Sequence, residues 1–253
     1  MKLEGKVAVV TGGGKGIGRA TSLALAKEGA AVAVNYSRSQ AEAEAVVKEI
    51  AAAGGQAIAV KADVSRDDGA RALIDAAVAH FGRLDILVNK AGWTRRTPHE
   101  QMDLLTDELL DRTINTNMKG PLYCTRAAIP HMQKAGAGSV VNITSVAGHT
   151  ANGSSVIYCG SKAALLSMTR ALARAFAPMI RFNAVAPGFV DTGFVMPAGG
   201  DAAANAAKRV HSQRIVAPED IAAAVLYFCT DGCILTAEEI IIDGGIARLG
   251  MKA

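Results

Sequence analysis

Short apolar runs alternate with longer amphipathic segments along the chain. The first three pairs are KVAVVT with a helix from about Ile17, AVAVNY with a helix through Ile50, and QAIAVKADV with a helix that ends near Phe81. LDILVN, GSVVNITS, IRFNAVAP and EEIIID follow, separated by further helical stretches. Each run is apolar on both faces, as a buried parallel strand requires. The pattern predicts an α/β fold, a Rossmann-type doubly wound domain in which a seven-stranded parallel sheet is flanked by helices on both faces.

No linker, composition break or internal repeat divides the chain, so we assign residues 1–253 to a single domain. The exception to the regular alternation is a stretch rich in Gly and Ala after Pro187. Long loops of this kind are uncommon in compact domains unless they cover a site. We therefore predict a substrate lid at about residues 188–213.

Composition narrows the function only a little. Half of the 253 residues are apolar, and the net charge of +4 is spread without a basic run, so we expect neither a nucleic acid nor a membrane as partner. The amino terminus fits neither a signal peptide nor a spanning helix, and the four cysteines lack CxxC spacing, so we expect a cytoplasmic protein with reduced thiols. The five histidines show no ligand spacing, and no metal site is predicted.

A glycine-rich turn follows the first predicted strand and opens directly into a helix. Glycines allow a close approach to phosphate groups, and the free amides and dipole of a helix start favour negative charge. A tight strand-to-helix connection is the alternative, but between the first strand and helix of a βαβ unit the turn predicts dinucleotide binding. The predicted contacts are Gly12, Gly14, Lys15, Gly16, Ile17 and Gly18.

The end of the second strand indicates which dinucleotide is bound. A carboxylate there would bind the adenosine ribose and exclude a 2′-phosphate, but the segment reads Asn35-Tyr36-Ser37-Arg38. Lys15 and Arg38 can approach a 2′-phosphate, which favours NADPH over NADH unless both cations are merely solvated. After the third strand, Asp63 and Val64 are placed at the adenine edge, although Asp63 can also be a turn or cap residue.

Tyr158 and Lys162 in YCGSK are four residues apart on a predicted helix and therefore share a face. A phenol titrates near ~10, and acid-base work at pH 7 asks for a shift of about three units, worth roughly 4 kcal/mol. We expect the Lys162 ammonium to supply much of it. Ser145, after the fifth strand, can hold a substrate oxygen, and Asn117 can fix a water that reaches Lys162. Each of these residues also has an ordinary structural explanation, as a half-buried aromatic, a surface charge, or a cap.

The order of these motifs resembles that of the short-chain dehydrogenases/reductases over essentially the whole chain. TGGGKGIG, DV at Asp63, NKAG at Asn89, Asn117, Ser145, YCGSK, and Pro187-Gly188 followed by Thr192 carry the resemblance. It implies a catalytic tetrad of Asn117, Ser145, Tyr158 and Lys162, with Tyr158 as general acid in reduction and base in oxidation. It also implies a homotetramer or homodimer packed through the Tyr158 helix and its neighbour. Further implied cofactor contacts are Tyr36, Ser37, Asn89, Ala91, Gly92, Tyr158 and Lys162 with a ribose between them, Pro187, Gly188, and Val190 and Thr192 near the nicotinamide carboxamide.

The sequence departs from the family pattern at three places. Lys90 stands where the fourth-strand motif usually has a second asparagine, and its side chain can face either solvent or the cofactor cleft. The usual Thr-Gly pair near the end appears as Thr236-Ala237, and APMIRF is one residue short, so subunit contacts there can differ.

Within the family, NYSRS, NAVAPGFVDT and PEDIA are most similar to the 3-oxoacyl-(acyl carrier protein) reductase-like branch. We expect an NADPH-dependent reductase of a ketone, with an NAD-dependent alcohol or sugar dehydrogenase, or a catalytically silent nucleotide-binding module, as alternatives. Arg95 and Arg96 can meet an anionic carrier or simply be solvated. The predicted pocket suits a medium-sized ketone and includes Trp93, Ser145, His149, Val156, Phe189 and Phe194.

Overall fold

The computed structural model describes residues 1–190, 192, 207–208 and 210–250. Its centre is a seven-stranded sheet in which every pair is parallel, in the order β3-β2-β1-β4-β5-β6-β7. The chain order reverses between β1 and β4, so a crevice opens at that point above the carboxyl ends of the strands. The strands are β1 (Val7–Val10), β2 (Ala31–Tyr36), β3 (Ala57–Lys61), β4 (Ile86–Asn89), β5 (Gly138–Ile143), β6 (Ile180–Pro187) and β7 (Glu239–Ile242).

Helices connect the strands along the chain. The described helices are α1 (Gly16–Lys27), α2 (Gln40–Ala52), α3 (Asp67–Phe81), a 3₁₀ turn (Met102–Leu104), α4 (Asp107–Ile114), a π-helical turn (Asn115–Lys119), α5 (Gly120–Ala135), α6 (Ala147–Thr150), α7 (Val156–Phe176), α8 (Pro218–Cys229) and α9 (Ile246–Leu249). Two ends illustrate the local signals: α3 stops where Gly82 takes the left-handed conformation, and the Ser155 hydroxyl caps α7 by accepting from the Tyr158 amide.

Two apolar layers form the core, one on each face of the sheet. Successive side chains of β1 alternate between them: Ala8 and Val10 pack with α1, α2 and α8, whereas Val7 and Val9 pack with α3, α5 and α7. This arrangement explains why the strands are apolar on both faces, since helices cover both.

The structure confirms the predicted fold class, with all seven strands at the predicted sequence segments. The predicted lid at about 188–213 lies mostly outside the described residues, although the bridge between Val190 and Val216 ties its start to the segment before α8. Among the helices that the structure describes, none combines the length and apolar character needed to cross a bilayer.

Candidate active site

A cleft of about 1470 Å³ lies above the carboxyl ends of the strands. It follows the crevice at the β1/β4 reversal, where the loops after β1 to β6 meet. Most of the predicted cofactor contacts line it: Gly12, Gly14, Lys15, Gly16, Ile17, Tyr36, Ser37, Arg38, Asp63, Val64, Ala91, Gly92, Tyr158, Lys162, Pro187, Gly188, Val190 and Thr192.

The phosphate turn, residues 11–18, packs so tightly against the start of α1 that position 18 has room only for glycine. A Cβ on Gly18 would lie 2.1 Å from the carbonyl oxygen of Gly12, so a side chain there would push the turn off α1. Gly18 thus serves the packing of the turn, while no described residue accepts a hydrogen bond from the Gly16 and Ile17 amides at the start of α1. Those amides can donate hydrogen bonds to a phosphate.

Asn35 anchors this turn, a role that the sequence interpretation did not assign to it. Its Oδ1 accepts from the Gly12 amide at 3.1 Å, and its Nδ2 donates to the carbonyls of Tyr36, Val60 and Ala62. The side chain is buried and joins the turn to β2 and β3. A lone asparagine inside the apolar run AVAVNY was the available signal, because a buried amide needs partners.

Two cations, Lys15 and Arg38, line the end of the cleft beside β2, but one of them is engaged in an ion pair. The Lys15 ammonium contacts Glu42 of α2 at 2.5 Å, and both side chains are about half exposed. Lys15 holds the pKa of the Glu42 carboxyl below its usual value, mainly through this hydrogen bond. The Arg38 side chain is exposed at the cleft and has no carboxylate partner among the described residues.

Asp63 has the turn role that the sequence allowed, and its contact with an adenine stays a prediction. It lines the cleft beside Val64, and its Oδ1 accepts from the Ser65 amide and hydroxyl, at 3.0 and 2.7 Å. It is therefore a turn residue that is also available to a ligand at the end of β3.

In the fourth-strand motif, residues 89–92, the side chain of the first residue lies below the cleft and the other three residues line its wall. The Asn89 side chain does not line the cleft as predicted: it is buried, and its Nδ2 donates to Asn142 Oδ1 at 2.9 Å. Because side chains alternate along a strand, this last residue of β4 points toward α5 instead. Lys90, Ala91 and Gly92 line the cleft, and the Lys90 and Ala91 amides both donate to Thr11 Oγ1 at 2.9 Å.

The uncertainty about Lys90 is resolved in favour of the cleft. Its Nζ donates to the carbonyl oxygens of Lys15 at 3.2 Å and Gly12 at 3.4 Å. Burial, together with repulsion from Lys15, lowers the pKa of Lys90 to about 8.

Tyr158, Lys162 and Ser145 meet at the other end of the same cleft. The Lys162 ammonium is buried and donates to the carbonyl oxygen of Ile143, the last residue of β5, at 2.7 Å. It lies 5.8 Å from the centre of the Tyr158 ring. Burial, with added repulsion from Lys90, lowers the pKa of Lys162 to about 8.

The structure corrects the expected acidity of Tyr158. Burial raises the pKa of the phenol above its usual value, and the contact with the Ser145 hydroxyl opposes only part of this rise. The reason is geometric: the Lys162 ammonium is bonded to the Ile143 carbonyl and lies on the ring side, so it does not offset the desolvation of the phenolate. In the ligand-free chain Tyr158 therefore keeps its proton at neutral pH.

Asn117 lies beside Lys162 but its side chain binds protein rather than the cleft. It occupies the π-helical turn, is fully buried, and exchanges hydrogen bonds with the backbone of Trp93, at 2.8 Å from the Trp93 amide and 2.9 Å to its carbonyl. A third bond goes to Ser161 Oγ. The side chain thus fixes the loop after β4, and the predicted water contact would have to come from its backbone.

The predicted substrate residues divide into three groups. Trp93 and Phe189 line the cleft with Ser145. His149 does not, because its Nε2 contacts Glu239 at 2.6 Å, and Val156, at the start of α7, lies off the cleft with 42% of its surface exposed. Phe194 is outside the described residues.

Arg112 and Arg96 add charge to the substrate end. The Arg112 guanidinium lies 4.3 Å from the centre of the Trp93 ring, a cation–π contact that the sequence interpretation missed because the two residues are on separate elements. Arg96 lines the cleft, whereas its neighbour Arg95 is an exposed loop residue away from it.

The segment after β6 closes over the phosphate turn. A Cβ on Gly16 would come within 2.9 Å of Thr192 Cγ2, so the Thr192 side chain lies directly against the turn. Pro187, Gly188 and Val190 continue along the same wall. This juxtaposition forms a channel whose two ends are the β2/β3 loops and the Tyr158 region, which is the shape that an extended dinucleotide requires.

Comparisons with known proteins agree with this geometry. A model of the family described as short chain dehydrogenase matches residues 6–202. An uncharacterized oxidoreductase of Methylorubrum extorquens is 44% identical over 97% of this chain and 99% of its own length. A 3-oxoacyl-[acyl-carrier-protein] reductase of Synechocystis is 38% identical over 96% of this chain and 98% of its own. A crystal structure of a short chain dehydrogenase from Burkholderia cenocepacia in complex with NADP superimposes with a TM-score of 0.89, at 37% identity over 96% of this chain and 98% of that one.

Proposed function

The chain belongs to the short-chain dehydrogenase family and is an oxidoreductase of its 3-oxoacyl reductase-like branch; on this premise we propose that it uses NADPH to reduce a ketone to a secondary alcohol. The observation that carries the proposal is the meeting of Tyr158, Lys162 and Ser145 in the same cleft as the phosphate turn.

The cleft residues fit a dinucleotide at both ends. The Gly16 and Ile17 amides would hold the diphosphate, and Asp63 and Val64 would meet the adenine. Arg38 and Lys15 would bind a 2′-phosphate, and no carboxylate follows β2 directly to repel it. Val190 and Thr192 would face the nicotinamide end. Consistent with this choice, the Burkholderia cenocepacia relative is described in complex with NADP.

Tyr158 acts as the proton donor in this proposal. When bound, the reduced nicotinamide supplies a hydride to the carbonyl carbon. The Tyr158 hydroxyl gives its proton to the carbonyl oxygen, and the product is an alcohol and a phenolate. Because an aliphatic alcohol is a much weaker acid than a phenol, the transfer is favourable even with a raised phenol pKa. The raised pKa itself keeps Tyr158 loaded with the proton at neutral pH, which suits the reductive direction.

Ser145 and Lys162 support that step from two sides. The Ser145 hydroxyl, beside the phenol, would donate a hydrogen bond to the substrate oxygen and hold it near the Tyr158 proton. The buried Lys162 ammonium, 5.8 Å from the centre of the Tyr158 ring, would attract the phenolate that remains after transfer through a longer-range charge interaction rather than through a hydrogen bond. Its hydrogen bond to Ile143 fixes its position before any ligand arrives.

The substrate end suggests a medium-sized ketone, including 3-oxoacyl compounds. Trp93 and Phe189 supply apolar walls, while Arg112 and Arg96 supply positive charge at the rim. Such a pocket would accept an apolar ketone with a carboxyl or thioester group further out. The Synechocystis relative is named as a reductase of that chemical class.

The direct test is NADPH consumption over a panel of β-keto esters, acyl thioesters, aryl ketones, diketones and sugars. We expect turnover on the β-keto compounds or aryl ketones. Dinucleotide binding without turnover on any member would instead support a catalytically silent nucleotide-binding module.

One observation favours a second candidate, an NAD-dependent alcohol or sugar dehydrogenase. Glu42 already occupies Lys15, which leaves Arg38 as the main cation for a 2′-phosphate. The two are separated by measuring NADPH and NADH affinity in the parent and in Arg38→Ala. NADPH use predicts a selective loss of NADPH affinity, whereas an unchanged ratio would support the NAD-dependent enzyme.

We also propose a homotetramer or homodimer packed through α7 and α5, two helices on the same face of the sheet. Val156 on α7 and Leu122 on α5 are large apolar side chains with 42% and 40% of their surface exposed, as an unfilled contact would leave them. Light scattering coupled to size exclusion would measure the assembly, and a monomer at micromolar concentration would contradict the proposal.

A further inference from the structure

Lys90 places an unpaired positive charge at the phosphate turn. Its side chain crosses from the end of β4 to the start of α1, and its ammonium donates to the carbonyl oxygens of Lys15 and Gly12, at 3.2 and 3.4 Å, and to no other described residue. An ammonium carries three N–H donors, so at least one remains for a ligand in the cleft that Lys90 lines. Among the described residues, no carboxylate lies within ion-pair distance of it.

The surroundings of Lys90 are cationic rather than balanced. Repulsion from Lys15 lowers the pKa of Lys90, and repulsion from Lys90 in turn lowers the pKa of Lys162. Within the part of the chain that the structure describes, Glu42 is the only carboxylate bonded to this group of three lysines, and it contacts Lys15 on the side of α2. A partly buried ammonium among like charges costs folding free energy unless a counter-charge arrives.

The counter-charge has a defined place. The carbonyl of Lys15 that holds the ammonium belongs to the residue that precedes α1, and the Gly16 and Ile17 amides follow it immediately. An anion bound at that helix start therefore lies next to the Lys90 ammonium. A neutral, shorter asparagine at this position could neither span from β4 to the turn nor supply the charge.

We propose that Lys90 is a cofactor-binding residue. Its ammonium, positioned by hydrogen bonds to two carbonyl oxygens of the phosphate turn, pairs with the diphosphate of the dinucleotide. The inference rests on the proposed function for the nature of the ligand. It differs from the assignment of Arg38 in a measurable way: Lys90 acts on a group that NADPH and NADH share, whereas Arg38 acts on the 2′-phosphate that only NADPH has.

The test measures equilibrium binding, without turnover, of NADPH, NADH, ADP and adenosine 2′-monophosphate by fluorescence or calorimetry. Lys90→Gln removes the charge but keeps an N–H donor for the turn, and Lys27→Gln, at the exposed far end of α1, is the control with the same change in net charge. Since a charge-assisted hydrogen bond is worth more than a neutral one, Lys90→Gln should weaken NADPH, NADH and ADP by about ten- to hundredfold. Adenosine 2′-monophosphate has no diphosphate to pair with Lys90. Its affinity should therefore change less than twofold, because only a screened, longer-range charge effect is lost.

A charge role and a purely structural role give different salt dependences. If Lys90 acts through its charge, raising the salt concentration should weaken wild-type binding more steeply than binding to Lys90→Gln, and Lys90→Arg should restore most of the affinity. Parallel salt dependences in the two proteins would mean that Lys90 only braces the turn, and would overturn the proposal.

The failure of the inference can be told from the failure of the proposed function. A wild-type chain that bound none of the dinucleotides would overturn both. If the wild type bound NADPH and the NADPH affinity of Lys90→Gln were within twofold of that of Lys27→Gln, the inference alone would be overturned. Loss confined to adenosine 2′-monophosphate would overturn the assignment to the diphosphate. Thermal unfolding of Lys90→Gln without ligand checks folding, and relief of lysine repulsion predicts a melting temperature at or above that of the wild type.

Discussion

Lys15 and Glu42 form an ion pair of 2.5 Å across the mouth of the cofactor cleft. The pair joins the residue before α1 to the first turn of α2, next to the place where a 2′-phosphate would lie. A carboxylate in that position both occupies Lys15 and repels an arriving phosphate. Under the proposed function, the ion pair therefore weakens the binding of the 2′-phosphate of NADPH.

Breaking the ion pair should strengthen NADPH binding. Glu42→Gln frees Lys15, and since exposed pairs contribute at most about 1 kcal/mol, NADPH affinity should rise by about two- to fivefold while NADH changes little. Titration of both dinucleotides measures the ratio. Glu44→Gln, an equal charge change on the same exposed helix, is the control. Equal gains in the two variants would mean that general electrostatics, not Lys15, is responsible.

The Asn35 side chain should matter for both stability and binding. Asn35→Ala removes the acceptor of the Gly12 amide and three donor contacts, so the free energy of unfolding should fall by about 1–3 kcal/mol. ADP should also bind more weakly, because the phosphate turn loses its tie to β2. Chemical denaturation and ADP titration measure the two effects. Unchanged stability would show that water replaces the lost bonds at no cost.

Cofactor affinity should fall as the pH rises through about 8, the pKa of Lys90 in the ligand-free chain. Binding of the diphosphate favours the charged ammonium, so the complex holds a proton that the free protein loses above that pH. Lys162, with a pKa also near 8, adds to the effect, and Lys15 faces Lys90 but is paired with Glu42. Arg38 and Asp63 line the same cleft.

The Lys90 contribution is isolated by difference. Between pH 8 and 9.5, the slope of log Kd against pH for ADP should be smaller in Lys90→Gln than in the wild type. The difference should be up to about one log unit per pH unit, which corresponds to one proton taken up on binding. Identical slopes would show that Lys90 does not change its protonation on binding.

Ala237 is a strained residue that glycine should relieve. Its φ is +65°, in the left-handed region, and its amide donates to the Phe182 carbonyl at 2.7 Å, which holds it there. The left-handed conformation costs a residue with a Cβ about 1–2 kcal/mol. Glycine avoids this cost but loses more conformational entropy on folding, so Ala237→Gly should raise the free energy of unfolding by about 0.5–1 kcal/mol. Ala223→Gly in the exposed face of α8 is the control and should destabilise by about 1 kcal/mol. Denaturant unfolding at fixed protein concentration measures both, and destabilisation by Ala237→Gly would contradict the strain argument.

The sequence predicted the sheet well because its signal is local. Each strand of this fold is a short apolar run between helices, and each loop at the carboxyl edge carries its own motif, so the phosphate turn, Ser145 and the Tyr158 helix were placed correctly in the cleft. Asp63 also lies in the cleft and forms the turn that was one of its two interpretations, while its contact with an adenine stays a prediction.

The side-chain positions that the sequence did not reveal all depend on contacts between distant parts of the chain. Asn89 turns away from the cleft because Asn142 and Thr125 bind it from neighbouring elements, and His149 turns toward Glu239, which is 90 residues away. The raised pKa of Tyr158 depends on how deeply the phenol is buried, which spacing along a helix does not reveal. The destination of the Lys90 side chain was likewise open, because only the folded turn presents the two carbonyls that hold it.

The central claim is that the Tyr158 phenol delivers the proton to the substrate oxygen. It is tested most directly in Tyr158→Phe, by single-turnover reduction of a ketone that the parent accepts, at NADPH concentrations shown by titration to saturate both proteins. Loss of a general acid predicts that the rate of NADPH oxidation falls by about 10²- to 10⁴-fold while NADPH affinity stays within a few-fold. Reduction at the parental rate by Tyr158→Phe would contradict the account.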